Sequence, residues 1–294
     1  CPVLPEGIVY DGDAYSTVSS VSIDSDLMIN EGIFLNILEG HELSIHETAT
    51  FTSYGVISSN GSILVYGRFD NLGSLNNRGF LNLSAANLNN YGEINHGDGA
   101  LLRVKGGSRL ENTEEGEITT SWDSSEIEID EDGDFVNFGF LSADGHIKNS
   151  GFVWNYGFAS VQSFSNDGTT YNFGHFASEG QTINTGTISN TEGAWFSNYG
   201  ALHTYGVLSN DGTFNTSGEL DNSGTIHNHE SGTLNNVDDG LVVNTGTREL
   251  AHSRVISKES GRYRVLVWVD ATSSCARPEN RPKSAGQSFE KSFD

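Results

Sequence analysis

The chain has 294 residues and a formal net charge of −24, with 35 Gly, 4 Pro and 1 Met. So acidic a surface argues against nucleic acid as a partner, because a phosphate backbone needs a basic face, and against anionic lipid. There is no run of 18 apolar residues, so no membrane span is expected, and a hydrophobic content of 35% fits a thin core one side chain deep.

Residues 1–50 alternate weakly, as in SVSIDSDLMI and IFLNILEGHELSI, and are expected to form cap strands on a first coil. They hold nine acids (Glu6, Asp11, Asp13, Asp24, Asp26, Glu31, Glu39, Glu42, Glu47) and no Lys or Arg. The start at Cys1 reads as the product of signal-peptide removal, hence secretion, with a lipoprotein anchor as the alternative.

Residues 51–247 carry the main signal. Glycine recurs every six residues, as in Gly55, Gly61, Gly67, Gly73, Gly79 and again in Gly200, Gly206, Gly212, Gly218, Gly224. The hexad reads Asn-x-Gly-x-Φ-x, with Φ apolar, and is clearest at 198–227 (NYGALH TYGVLS NDGTFN TSGELD NSGTIH). Gly, Φ and Asn alternate, so in an extended chain they share one side. The apolar residue fills a core, Gly and Asn permit a bend by tolerating positive φ, and an inward Asn can bond to its equivalents in the coils above and below. One hexad buries too little to fold alone, so the units must stack.

Aromatic spacing sets the coil length. Phe138, Tyr156 and Phe173 lie 18 and 17 residues apart, Phe140 and Phe158 lie 18 apart, and Tyr54, Leu72 and Tyr91 lie 18 and 19 apart. The expected fold is all-β, a single parallel β-solenoid with three short strands and about 18 residues per coil and with terminal cap strands. About 11 coils at a strand spacing of about 4.8 Å give a rod on the order of 50 Å long. A two-sided coil of twelve residues is the alternative. The period slips between Gly79 and Gly92, near Gly97–Gly107, between Gly116 and Gly133, and at Gly193, Gly232 and Gly240, where loops or changes of cross-section are expected.

Residues 248–271 are expected to hold a C-terminal cap strand, RYRVLVWVD at 262–270, with Tyr263, Val265, Val267 and Val269 on one face. Residues 272–294 read as an extended polar tail. Residues 248–294 carry nine bases (Arg248, Arg254, Lys258, Arg262, Arg264, Arg277, Arg281, Lys283, Lys291) against six acids. The acidic start and basic end are either plain polar caps or complementary halves of a head-to-tail joint, in which Tyr263, Val265, Val267, Val269, Arg277, Arg281, Phe289 and Phe293 form the assembly interface.

The runs NNRGFLNL, TSGELDNSGTIHN and NTGTISN resemble the Asn-x-Gly repeats of secreted bacterial and archaeal β-helix proteins, including filamentous haemagglutinin-like adhesins, over residues 50–247. The resemblance implies a secreted β-solenoid serving as a surface adhesin or an extracellular structural protein. The pattern departs from that of hexapeptide acyltransferases, whose small residue follows the apolar one directly.

Few residues point to chemistry. Cys1 and Cys275 can pair within the chain, pair between subunits, or stay free or lipidated. Asp130, Asp132 and Asp134 form an acidic turn, with calcium as the alternative reading, but lack EF-hand spacing. His227 and His229 share a face without further ligands at zinc-like spacing. The outward aromatics Phe138, Tyr156, Phe140, Phe158, Trp154, Tyr199 and Tyr205 form a subunit contact, a sugar-binding face or ordinary wall stacking. A polysaccharide lyase or hydrolase would need an assembled carboxylate site; Asp123, Glu126, Glu128, Asp130 and Glu131 sit in the longest insertion, with no base close in sequence. No catalytic residue and no cofactor other than calcium is assigned. The expected partners are further copies of the chain, joined head to tail outside the cell, with surface glycans as the alternative.

Overall fold

A computed structural model of the chain describes residues 5–10, 12–121 and 124–237, together with the backbone of 241–244, 247–250, 254–259 and 262–267. The described residues form strands and turns only, stacked as a parallel β-solenoid of about 11 coils. None of them lies in a helix long and apolar enough to cross a membrane.

Each coil has three straight strands, usually four residues long, and therefore three faces. Face one contains twelve strands, from Leu27–Ile29 to Thr247–Leu250. Face two runs from Tyr15–Thr17 to Arg254–Glu259, and face three from Val21–Ile23 to Leu241–Asn244. In three coils the chain crosses from face two to face three within one strand, at Phe140–Asn149, Phe158–Asn166 and His175–Asn184. The first corner joins faces one and two, the second joins two and three, and the third joins three and one. This is the three-hexad cross-section, not the two-sided one.

Phe51, Phe69, Leu88, Leu110, Phe135, Val153 and Thr170 stand in one column, so coils take between 17 and 25 residues, the longest between Leu110 and Phe135. Two of every four strand residues face inward, as alternation requires. In Val207–Asn210 these are Leu208 and Asn210, both buried. The core is in most strands one apolar side chain and one polar or apolar side chain, stacked on their equivalents, with Thr170 and Thr182 taking the apolar place in two strands. Rings stack there too, with Phe176, Phe196 and Phe214 at successive centroid distances of 5.0 Å.

The inward Asn column of face one is the backbone of the core. Nine residues (Asn71, Asn90, Asn112, Asn137, Asn155, Asn172, Asn190, Asn210, Asn228) form an unbroken ladder in which each Nδ2 donates to the next Oδ1 at 2.6–2.8 Å. The second amide hydrogen reaches a carbonyl of the next coil, as in Asn155 Nδ2 to His175 O at 2.8 Å. Such buried amides stabilise the stack because their partners are always present.

The repeat glycines serve a different purpose from the one expected. None of the glycines at the short Asn-x-Gly corners has positive φ. They are required by close stacking: a Cβ on Gly73 would lie 2.0 Å from Gly55 O, and one on Gly218 would lie 1.9 Å from Gly200 O. Positive φ belongs to a second, four-residue corner. Thr191-Glu192-Gly193-Ala194 is one, closed by Ala194 N to Thr191 O at 3.0 Å with Gly193 at φ +80°. Gly97-Asp98-Gly99-Ala100 is another, with Gly99 at φ +72°. Most slips in the hexad period are switches between these two corner types. The others among the described residues are a three-residue corner at Ser84-Ala85-Ala86, with Ala85 at φ +50°, and the five residues between Glu117–Thr120 and Glu126–Ile129; the three-faced cross-section is kept throughout. Gly240 lies outside the described residues.

The expected cap at 1–50 is shorter in the structure. Parallel stacking starts with Tyr15 opposite Leu35, Val21 opposite Leu43 and Leu27 opposite Phe51, so residues 15–50 already belong to regular coils. The cap strand is Ile8–Tyr10, which pairs antiparallel with Tyr15–Thr17. At the other end Arg262–Val267 pairs antiparallel with Arg254–Glu259. Both reversed strands lie on face two.

Candidate functional site

The first corner collects most of the exposed rings. Phe138, Tyr156 and Phe173 stack along it with centroids 4.8 and 4.6 Å apart and planes within 14°. On the face-two side Phe140 and Phe158 stack at 5.3 Å, followed by His175 and Trp195 at 5.7 Å. On the face-one side Trp154 and Tyr171 stack at 4.4 Å. These distances match the strand spacing, so the ring planes lie across the rod and present their edges to water. All seven aromatics expected to point outward do so at least in part; Tyr199 and Tyr205 occupy the other two corners.

The same corner carries four-residue turns: three before residue 195, and His229-Glu230-Ser231-Gly232 one short corner later. Asn30-Glu31-Gly32-Ile33, Thr113-Glu114-Glu115-Gly116 and Thr191-Glu192-Gly193-Ala194 are each closed by a bond from the fourth N–H to the first carbonyl, at 3.2, 3.0 and 3.0 Å. Between the first two lie the exposed Tyr54, Leu72 and Tyr91, and between the last two lie Phe138, Tyr156 and Phe173. Each run of large apolar side chains spans three coils and is bracketed by exposed acids, but only the second is aromatic throughout. The sequence shows the aromatic spacing; only the fold shows that the acidic insertions share their corner.

The acidic insertion is a charge network rather than a carboxylate pair. Arg103 Nε lies 3.2 Å from Glu128 Oε2 and 3.1 Å from Asp130 Oδ2, and Lys148 bonds to Glu126. The missing bases thus come from neighbouring coils. Their hydrogen bonds to Asp130 and Glu126 raise the pKa values of Arg103 and Lys148 above the ordinary ones. His146 Nδ1 lies 2.7 Å from Ser163 Oγ, one rung above Glu126. Burial lowers the His146 pKa, its Nε2 is buried without a hydrogen-bond partner, and Glu126 is engaged by Lys148, so no carboxylate orients the imidazole. Asp123 lies outside the described residues.

Asp130, Asp132 and Asp134 are not gathered around a common point. Asp130 is bound by Arg103, Asp132 sits at the tip of a four-residue turn with φ +58°, and Asp134 begins the next strand opposite Arg109. Among the described residues no three of His, Cys, Asp and Glu are placed to hold a metal ion. His227 and His229 stack at 6.2 Å, and His229 Nε2 is 3.0 Å from Ser209 Oγ. An open polar depression of about 500 Å³ is lined by Lys105, Gly106, Asp130, Glu131 and Ser150.

Of the expected assembly residues, Tyr263, Val265 and Val267 fall on the reversed strand Arg262–Val267. Val269, Arg277, Arg281, Phe289, Phe293, Cys1 and Cys275 lie outside the described residues. Compared with models of known protein families and with curated protein sequences, the chain matches none.

Proposed function

We propose that this chain is a structural subunit of an extracellular filament or surface appendage, joined head to tail through its terminal segments, and that it works through stiffness rather than through a reaction. The observation that carries this reading is the pair of reversed strands on face two. Ile8–Tyr10 and Arg262–Val267 each have one strand partner among the described residues, and no described strand lies on the outer edge of either. In rods stacked with the same polarity these two strands run in the same direction, which suits strand addition across a joint. The net charges of −9 over residues 1–50 and +3 over 248–294 favour the same contact. The Asn ladder supports the stiffness such a subunit needs.

One feature favours a second reading, a separately displayed rod such as an adhesin. The reversed strands extend face two alone, so pairing them directly leaves room for about three strands on each of the other faces. In that reading they are caps that blunt the open ends. Negative-stain microscopy separates the two: fibres with an axial repeat on the order of 70 Å, set by the fifteen described strands of face two, are expected, whereas discrete rods at all protein concentrations reject the filament in favour of display. Release of oligosaccharides from mixed glycans would reject both in favour of an enzyme.

A further inference from the structure

We propose that the aromatic corner between Glu114–Glu115 and Glu192 is a docking surface for a cationic polypeptide segment bearing apolar side chains. The inference does not depend on how the rods are joined. Six rings in this region are exposed by 36–48%; at roughly 200 Å² per ring they present about 500 Å² of aromatic surface. That is near the upper end of what a monomer exposes without a partner.

The chemistry around the patch selects the partner. The four-residue turns at Glu114–Glu115 and Glu192 stand two residues proud of the short corners between them, so acids rim an apolar saddle. Glu117 adds a carboxylate in register one rung below Phe140. The sole Lys or Arg from 110 to 200 is Lys148, which lies on face three and is bound to Glu126. A second copy laid side by side would bring its own acidic rims against these. Sugars stack on ring faces, and here both faces of Tyr156 and Phe158 are covered by the rings above and below, while Phe140 and Trp195 end their stack against Glu117 and Thr213. What remains is a strip of ring edges, suited to aliphatic or aromatic side chains, between two sources of negative charge. A basic amphipathic segment satisfies both parts, and desolvation beside the rings strengthens its ion pairs with the rim.

The test is titration of an amphipathic Leu/Lys peptide into the protein at low and at physiological salt, against three variants whose fold is checked by thermal melting. The double substitution Tyr156→Ser with Phe158→Ser is expected to weaken binding about tenfold or more. The triple substitution Glu114→Gln, Glu115→Gln, Glu192→Gln is expected to weaken it and to flatten its salt dependence. Tyr205→Ser, more exposed than any ring of the patch but on the third corner and stacked on no other described ring, is expected to change nothing. The proposal is overturned by absence of peptide binding, or by equal binding of all three variants, which would mean diffuse attraction to an acidic rod. It is also overturned if chito- or cello-oligosaccharides bind and the aromatic variant loses them, or if sedimentation shows a dimer that the aromatic variant dissociates.

Discussion

The coils before Asp134 and those after it reach the same cross-section by different means. In the earlier coils the inward column that closes face three is apolar: Val65, Leu83, Val104 and Ile129. In the later coils the same column continues as Asn149, Asn166 and Asn184, linked Nδ2 to Oδ1 at 2.7 Å. Four-residue corners are frequent in the earlier coils, including those at Glu31, Glu39, Glu47, Asp98 and Glu131; the later coils turn mostly through two-residue corners that end in Gly. A column can thus be filled by burial or by an amide ladder, provided that each rung matches its neighbours. Extra residues are absorbed at corners because the strand register leaves them nowhere else to go.

The largest expected effect separates the two corner types. Gly218→Ala places a Cβ 1.9 Å from the Gly200 carbonyl, a backbone atom that cannot yield without parting the coils; a loss of about 4 kcal/mol or more is expected in chemical denaturation. Gly99→Ala meets no atom within 4 Å and pays only for its φ of +72°, about 1 kcal/mol. Equal losses would break the distinction.

The next tests matching within a column. His96 sits in the earlier coils where an Asn stands one coil below: its Nδ1 accepts from Asn77 Nδ2 at 3.2 Å and its Nε2 donates to Glu126 O at 3.1 Å. Burial lowers its pKa from 6.5 to about 4. The folded state therefore binds this proton less readily than the unfolded one. The associated stability is complete above pH 6.5 and is lost as pH falls towards 4, amounting to about 3 kcal/mol. Melting between pH 7 and 4 should show this loss, and His96→Asn should remove its share of the pH dependence. A variant with an unchanged pH profile would mean that His96 is not the group responsible.

The smallest concerns the junction of the two columns. Asn149 Oδ1 is buried without a hydrogen-bond partner, and Ile129 is the rung below it. Ile129→Asn extends the ladder, and its cost is expected to stay within about 1 kcal/mol. Leu83→Asn, between Val65 and Val104, has no rung to join and should cost about 3 kcal/mol. If the two variants melt alike, columns do not need matched rungs.

Much of this was legible because a solenoid is nearly one-dimensional, so residue spacing reads directly as spatial neighbourhood. The aromatic spacings of 17 to 19 residues gave the coil, and the inward Asn gave the ladder. The charge network was not legible, because Arg103 and Lys148 approach Glu128, Asp130 and Glu126 from neighbouring coils of unequal length. Nor was the reason for glycine, since permissive φ and close stacking select the same residue.

The sequence by itself determined the parallel stack, the three strands per coil and the inward Φ and Asn, because alternation and period follow from local chain geometry. Only the tertiary structure decided which insertions share a corner, where the acids meet the rings, and that the end strands reverse on a single face. Those facts depend on the accumulated length of every preceding coil, which no local pattern contains.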